Sequence, residues 1–152
     1  MKILVCTDGS EHSQKALEEA SKIASGCDVY EVAIIHVYNS TPDYAYLRGG
    51  YGRGTVTKED LKLFRKIEEQ QKEERKKILS EALKIFEKNN IKARTIFEEG
   101  HPSEVIRRVA SEEGFDLIVI GSRGLGGLKK IVLGSVSSAV VNEAEVNVLT
   151  VK

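Results

Sequence analysis

An α/β fold, a parallel sheet wrapped on both faces by helices, is predicted for this chain by three observations. Short apolar runs alternate with segments of helical periodicity from one end to the other. Three of those runs, at 2–7, 29–37 and 116–121, hold consecutive rather than alternate apolar residues, the mark of strands buried on both faces. A length of 152 residues is enough for one domain of five strands and four helices.

The elements follow in order. Lys2-Ile3-Leu4-Val5-Cys6-Thr7 is a buried strand closed by the turn Asp8-Gly9-Ser10. Ser10 caps a helix whose Ala16, Leu17, Ala20, Ile23 and Ala24 share a face, and Gly26 suits its stop. The second strand, Val29 to Val37, contains Val32-Ala33-Ile34-Ile35. A long helix covers about 57–89, with Leu61, Phe64 and Ile67 near one end and Ile78, Leu79, Ala82 and Phe86 near the other. Between them Glu68 to Lys77 has no apolar residue. Pairs such as Glu68 with Lys72 and Glu73 with Lys77 suit a solvated stretch projecting past the sheet. Ala93 to Glu98 is polar enough for an edge strand. Pro102, after Gly100-His101, opens a helix with Val105, Ile106, Val109 and Ala110 on one face, and Gly114 ends it. Asp116 to Gly121 repeats the first strand, about 135–143 is the last helix, and Val146 to Val151 closes the sheet. Residues 39–57, with four glycines, three tyrosines and no periodicity, read as a mobile surface loop insert, a lid or partner contact being the alternative.

Composition narrows the function classes. Lys and Arg number 23 against 23 Asp and Glu, which argues against a protein that grips nucleic acid or anionic lipid. Cys6 and Cys27 form neither a disulfide framework nor a CxxC metal site, so a reduced, cytoplasmic setting is expected. MKILVCTDGS reaches an aspartate too soon for a signal peptide, and no apolar run approaches the ~18 residues of a membrane span. The excess of 18 Glu and 15 Lys over three Gln accords with a heat-tolerant source.

The segment after the fourth strand carries the chemistry. Gly121-Ser122-Arg123-Gly124 is followed, nine residues on, by Gly134-Ser135-Val136-Ser137. Glycines let backbone N–H groups approach an anion, and the helix starting near Ser135 aims its positive end at the same place. Ser135 and Ser137 add hydroxyls. The loop lies at the carboxyl edge of the sheet, where open α/β folds bind ligands. No Gly-Lys-Ser/Thr follows, and Lys129 stands where a GxGxxG fingerprint needs its third glycine, so neither a Walker loop nor that fingerprint is present.

These residues, with Thr7-Asp8-Gly9-Ser10, Ile35-His36-Val37, Gly100-His101-Pro102 and Leu133 to Ser137, resemble the universal stress protein family, specifically its ATP-binding branch. The resemblance covers the chain outside 39–57. It implies a Rossmann-like sheet in order 3-2-1-4-5, of the adenine nucleotide alpha hydrolase-like type, with ATP at the switch point and a dimer through the last strand. It assigns Thr7, Asp8 and Val37 to adenine and ribose. Gly121, Arg123, Gly124, Gly134, Ser135, Val136 and Ser137 would take ribose and phosphates. Mg2+ or Mn2+ would be held through phosphate oxygens, not by a protein carboxylate cage. Asn147 departs from the pattern, standing where the family often has proline.

Other groupings carry less. His12, His36 and His101 share no ligand spacing and suit capping or core roles. Cys6 reads as an inert buried thiol and Cys27 as an exposed one. Lys129 and Lys130 can screen phosphate or simply be solvated. A phospho-receiver reading of Asp8 lacks the second acidic residue at Gly9 and the partner lysine. The expected function is a non-catalytic, dimeric, ATP-dependent switch or sensor in stress response, with an unknown protein partner. A slow ATP hydrolase and a dimer without nucleotide are the alternatives. The dimer is expected through 146–151, uncharged until Lys152, whereas strand three is protected by Lys92, Arg94, Glu98 and Glu99.

Overall fold

The computed structural model describes residues 1–39, 57–125 and 133–152. The 39–57 insert, apart from its two terminal residues, lies outside the described residues, as do Lys129 and Lys130. The elements are β1 (Lys2–Cys6), α1 (Glu11–Gly26), β2 (Glu31–Tyr38), α2 (Lys58–Glu87) and β3 (Ala93–Glu99). They continue with α3 (Pro102–Glu112), β4 (Leu117–Gly121), α4 (Ser135–Glu143) and β5 (Asn147–Val151). All neighbouring strands pair in parallel, in the order β3-β2-β1-β4-β5.

Strand parity splits the apolar residues into two cores. Ile3, Val5, Val32, Ile34 and Val119 face α1 and α2, where they meet Ala16, Leu17, Ala20, Leu79, Ala82 and Phe86. Leu4, Cys6, Ala33, Ile35, Ile118 and Ile120 face α3 and α4, against Val105, Ile106, Val109, Ala110 and Val140. Phe86 is 0% exposed, and its burial contributes roughly 2–3 kcal/mol to holding α2 on the sheet. Leu61, Leu63 and Ile67, in the first turns of α2, are 51%, 56% and 40% exposed.

Local chemistry sets the helix ends. Ser10 accepts from Ser13 N to cap α1, and Thr57 with Asp60 forms a capping box for α2. Gly114 takes φ 66° just past α3, the left-handed conformation that suits glycine. Several expected boundaries shift. Gly26 is the last helical residue of α1 rather than a left-handed stop, because Cys27, extended, caps Ile23 O. The second strand begins at Glu31 and not Val29, since Val29 N turns back to Cys27 O and Tyr30 N to Met1 O. In α2, Glu73 pairs with Lys76 at 2.8 Å, not with the expected Lys77.

Candidate functional site

β1 leads into α1 on one face and β4 into α4 on the other, so the connections part at the carboxyl ends of the two central strands. That parting opens a crevice, the switch point of an open α/β sheet. A cleft of about 510 Å³ occupies it, within the ~300–1,000 Å³ usual for small-molecule sites. Thr7, Asp8, Val37, Gly121, Arg123, Gly124, Gly134, Ser135, Val136 and Ser137 all line it. Every site residue expected from the sequence is therefore brought to one place.

The β4–α4 wall leaves donors open. Gly134 is the N-cap of α4 and provides no side-chain cap, and the first helical bond runs from Ser138 N to Gly134 O. The N–H groups of Ser135, Val136 and Ser137 thus have no acceptor among the described residues. Gly134 N and the Ser137 hydroxyl both donate to Ser122 O, at 2.7 and 2.9 Å, which fixes the start of the helix. Ser137 was expected to offer a hydroxyl donor. Its proton is instead committed to backbone carbonyls, so Ser137 keeps its N–H and an oxygen lone pair for a ligand. Arg123 is the only cationic side chain among the described lining residues.

The glycines differ in what they make possible. A Cβ at Gly121 would lie 2.7 Å from the carbonyl carbon of His12, so this glycine lets β4 approach the first turn of α1 rather than an anion. A Cβ at Gly124 would come within 2.5 Å of Asp8 Oδ2. At Gly134 the nearest atom among the described residues would be 3.6 Å away, an ordinary contact, so nothing in those residues demands glycine there.

On the β1–α1 wall the Thr7 and Asp8 side chains and the Thr7 backbone are tied to the protein itself. Thr7 N donates to Ile35 O at 2.9 Å, Thr7 O takes the His36 Nδ1 hydrogen at 2.8 Å, and Thr7 Oγ1 accepts from Gly9 N and meets Ser13 Oγ. Asp8 Oδ1 accepts from Ser10 N and Oδ2 from Leu125 N at 3.3 Å, so its carboxylate spans the two walls. Sequence reasoning missed the apolar part of the lining, chiefly Cys6, Ile35, Ile106 and Ile120. Parity along the strands is the signal that finds Cys6, Ile35 and Ile120, which share a sheet face with Val37, and Ile106 comes from the apolar face of α3 packed on it. Burial and the nearby Asp8 charge push the Cys6 thiol strongly up, so it stays neutral and unreactive, as expected. Cys27 is exposed.

The histidines do not converge. His36 bonds Thr7 O, His101 Nδ1 meets Ser103 Oγ at 3.1 Å, and His12 Nδ1 is buried without a partner among the described residues. Among the described residues no group of three His, Cys, Asp or Glu side chains is placed to hold a metal. Asp8 is the only carboxylate among the described residues that line the cleft. Asn147, in the position where proline was noted as usual, opens β5 opposite Leu117 and donates its side-chain amide to Asp116 O at 3.3 Å. The strand forms without the proline.

An apolar slot at one end and unpaired N–H groups with one arginine at the other suit a ligand with a flat apolar part and an anionic part. Comparison with known proteins agrees with this design. The model of the Universal stress protein family matches residues 1–152. The chain is 36% identical over 151 residues to universal stress protein YxiE of Bacillus subtilis, covering 99% of this chain and 98% of that one. It superposes on the solved structure of MJ0577 from Methanocaldococcus jannaschii with a TM-score of 0.72 and 31% identity, over 99% of this chain and 94% of that one. A universal stress protein of Archaeoglobus fulgidus, solved in complex with dAMP, gives a TM-score of 0.65 at 26% identity, over 100% and 98% of the two chains. With its sheet order, its glycine-lined cleft and a match along its whole length, this chain belongs to the universal stress protein family.

Proposed function

We propose that the cleft binds an adenine nucleotide, ATP with Mg2+ or Mn2+, and that the protein is a dimeric, nucleotide-dependent switch or sensor in stress response. The observation that carries the reading is the gathering of Thr7, Asp8, Val37, Arg123 and the Gly121, Gly124, Gly134–Ser137 set around one cleft with donors unpaired at its phosphate end. The base would lie in the slot formed by Val37, Ile35 and Cys6, its edge against backbone. The phosphates would meet the first turn of α4 and Arg123. The dAMP bound by the Archaeoglobus relative supports the choice of base. Since Asp8 is the only carboxylate among the described lining residues, the metal would be held mainly by phosphate oxygens. No histidine or lysine is among the described lining residues to activate water, which favours binding over hydrolysis.

The dimer would form through β5. Val148, Leu149, Thr150 and Val151 are half-buried at the sheet edge, and a two-fold axis would pair two such edges. Among the described residues no helix is long and apolar enough to cross a membrane, and a cytoplasmic place with an as yet unidentified protein partner completes the reading. Native mass spectrometry of the purified protein, paired with thermal melts, tests the nucleotide. A hundredfold excess of MgATP over Kd should stabilise the fold by about 2.7 kcal/mol. Absence of bound adenine nucleotide together with unchanged melting in MgATP and AMP rejects the proposal. For the dimer, light scattering should find two copies in the wild type and a change in assembly on Val148→Pro. A wild type that is monomeric at micromolar concentration removes it.

A further inference from the structure

The β1–β2 ladder stops one bond early, where a buried histidine bonds the next carbonyl. Thr7 N donates to Ile35 O, so Ile35 turns its backbone groups toward β1. Tyr38 O accepts from Gly100 N at the end of β3, so Tyr38 turns its own toward β3. N–H and C=O directions alternate from residue to residue along a strand, so Val37 faces the β1 side, as Ile35 does. In a continuing parallel ladder Val37 N would donate to Thr7 O. That carbonyl is taken by His36 Nδ1 at 2.8 Å. A carbonyl only accepts, so Nδ1 carries the hydrogen. Val37 N–H and C=O are left without partners among the described residues, beside the cleft that Val37 lines.

His36 is held for this task. It is 6% exposed, and its ring is stacked on Phe97 with centroids 5.9 Å apart and planes 9° from parallel. Phe97 also stacks on Tyr38 at 4.5 Å, over whose ring Arg75 sits at 5.4 Å. The ring therefore cannot swing away from Thr7 without breaking a stack.

We infer that His36 is a positioning residue for base recognition: by capping the Thr7 carbonyl it keeps the N–H of Val37 unpaired, beside the Val37 C=O whose ladder donor, Gly9 N, bonds Thr7 Oγ1 instead, so that the two form a donor–acceptor pair in the base slot. This rests on the nucleotide reading above. Such a pair complements the edge of adenine, where the N6 amino donor lies beside a ring-nitrogen acceptor. His36→Phe keeps an aromatic ring in the stack but loses the donor, whereas His36→Asn places an amide N–H where Nδ1–H was.

Three readouts test the role, using AMP and ribose 5-phosphate as probes and hydrogen exchange of the Val37 amide in the free protein. His36→Phe should lose about tenfold in AMP affinity while ribose 5-phosphate binding stays within about twofold. His36→Asn should stay within about threefold of wild type for AMP. Val37 N–H should exchange roughly tenfold more slowly in His36→Phe, because the released Thr7 carbonyl now accepts it. His36→Leu serves for the same comparison if the phenylalanine variant does not fold. Unchanged AMP affinity in the donor-less variant, or equal loss of both ligands, overturns the inference. If the wild type binds neither probe, the nucleotide reading fails by itself, and Val37 exchange still decides whether His36 ends the ladder.

Discussion

The two ends of the sheet handle their polar groups in opposite ways. At the amino end Lys2 N donates to Asp116 Oδ2 at 2.7 Å, and Lys2 Nζ reaches Glu113 O and Glu31. Arg94 bonds Glu31 at 2.9 Å and also Glu113, and both cations lie over the Phe115 ring, at 4.9 and 5.7 Å. At the carboxyl end the first turn of α4 and the backbone of Val37 are left without partners among the described residues. Unpaired backbone groups cost stability unless water or a ligand satisfies them. One end is closed by side chains that tie strands together, and the other leaves backbone groups open, as the proposed nucleotide site requires.

Within the open end, the largest effect is expected at a glycine that serves packing. Gly121→Val places carbon atoms into the backbone of α1, so we expect about 3 kcal/mol of destabilisation in urea melts. A loss below about 1 kcal/mol would show that β4 and α1 can part, breaking the distinction between the rigid and open walls. Thr7→Val removes the acceptor for Gly9 N and the contact with Ser13 Oγ, and about 1 kcal/mol should be lost. An unchanged midpoint would mean that the β1–α1 wall is not tied down by that hydroxyl.

The closed end should respond less, and through pH. Bonds from Arg94 and then Lys2 hold the Glu31 carboxyl below its ordinary value of 4.5. A carboxyl lowered in the folded state stabilises above its unfolded value, and that contribution disappears as pH falls through the folded one. The stability gap between wild type and Glu31→Gln should therefore be level near neutrality and shrink as the solution is acidified below pH 4.5. Its size should be under about 1 kcal/mol, since both partners are partly exposed. A gap that widened in acid would contradict the network.

The smallest stability change is expected at Gly134→Ala, within about 0.5 kcal/mol, since among the described residues its Cβ meets only ordinary contacts. The same change fills space beside the unpaired N–H groups and should weaken the MgATP-induced thermal shift. A full shift in this variant would place the phosphates elsewhere.

Much of this was readable along the chain, for local reasons. Consecutive apolar residues such as Val32 to Ile35 mark a strand buried on both faces whatever surrounds it. Ser10 and Thr57 cap helices through bonds to residues three positions on. The glycine spacing after β4, with the resemblance it carries, was enough to name ten residues that share one cleft. Tertiary structure decided what each does there, because that depends on atoms far apart in sequence. Gly121 is required by His12, Gly124 lies against Asp8, and the Thr7 carbonyl is claimed by His36, not by the backbone of Val37. Glycine spacing is the same whether a missing Cβ admits a ligand or a neighbouring helix. Hydrogen-bond partners across strands are chosen by register and distance, which exist only once the sheet has formed.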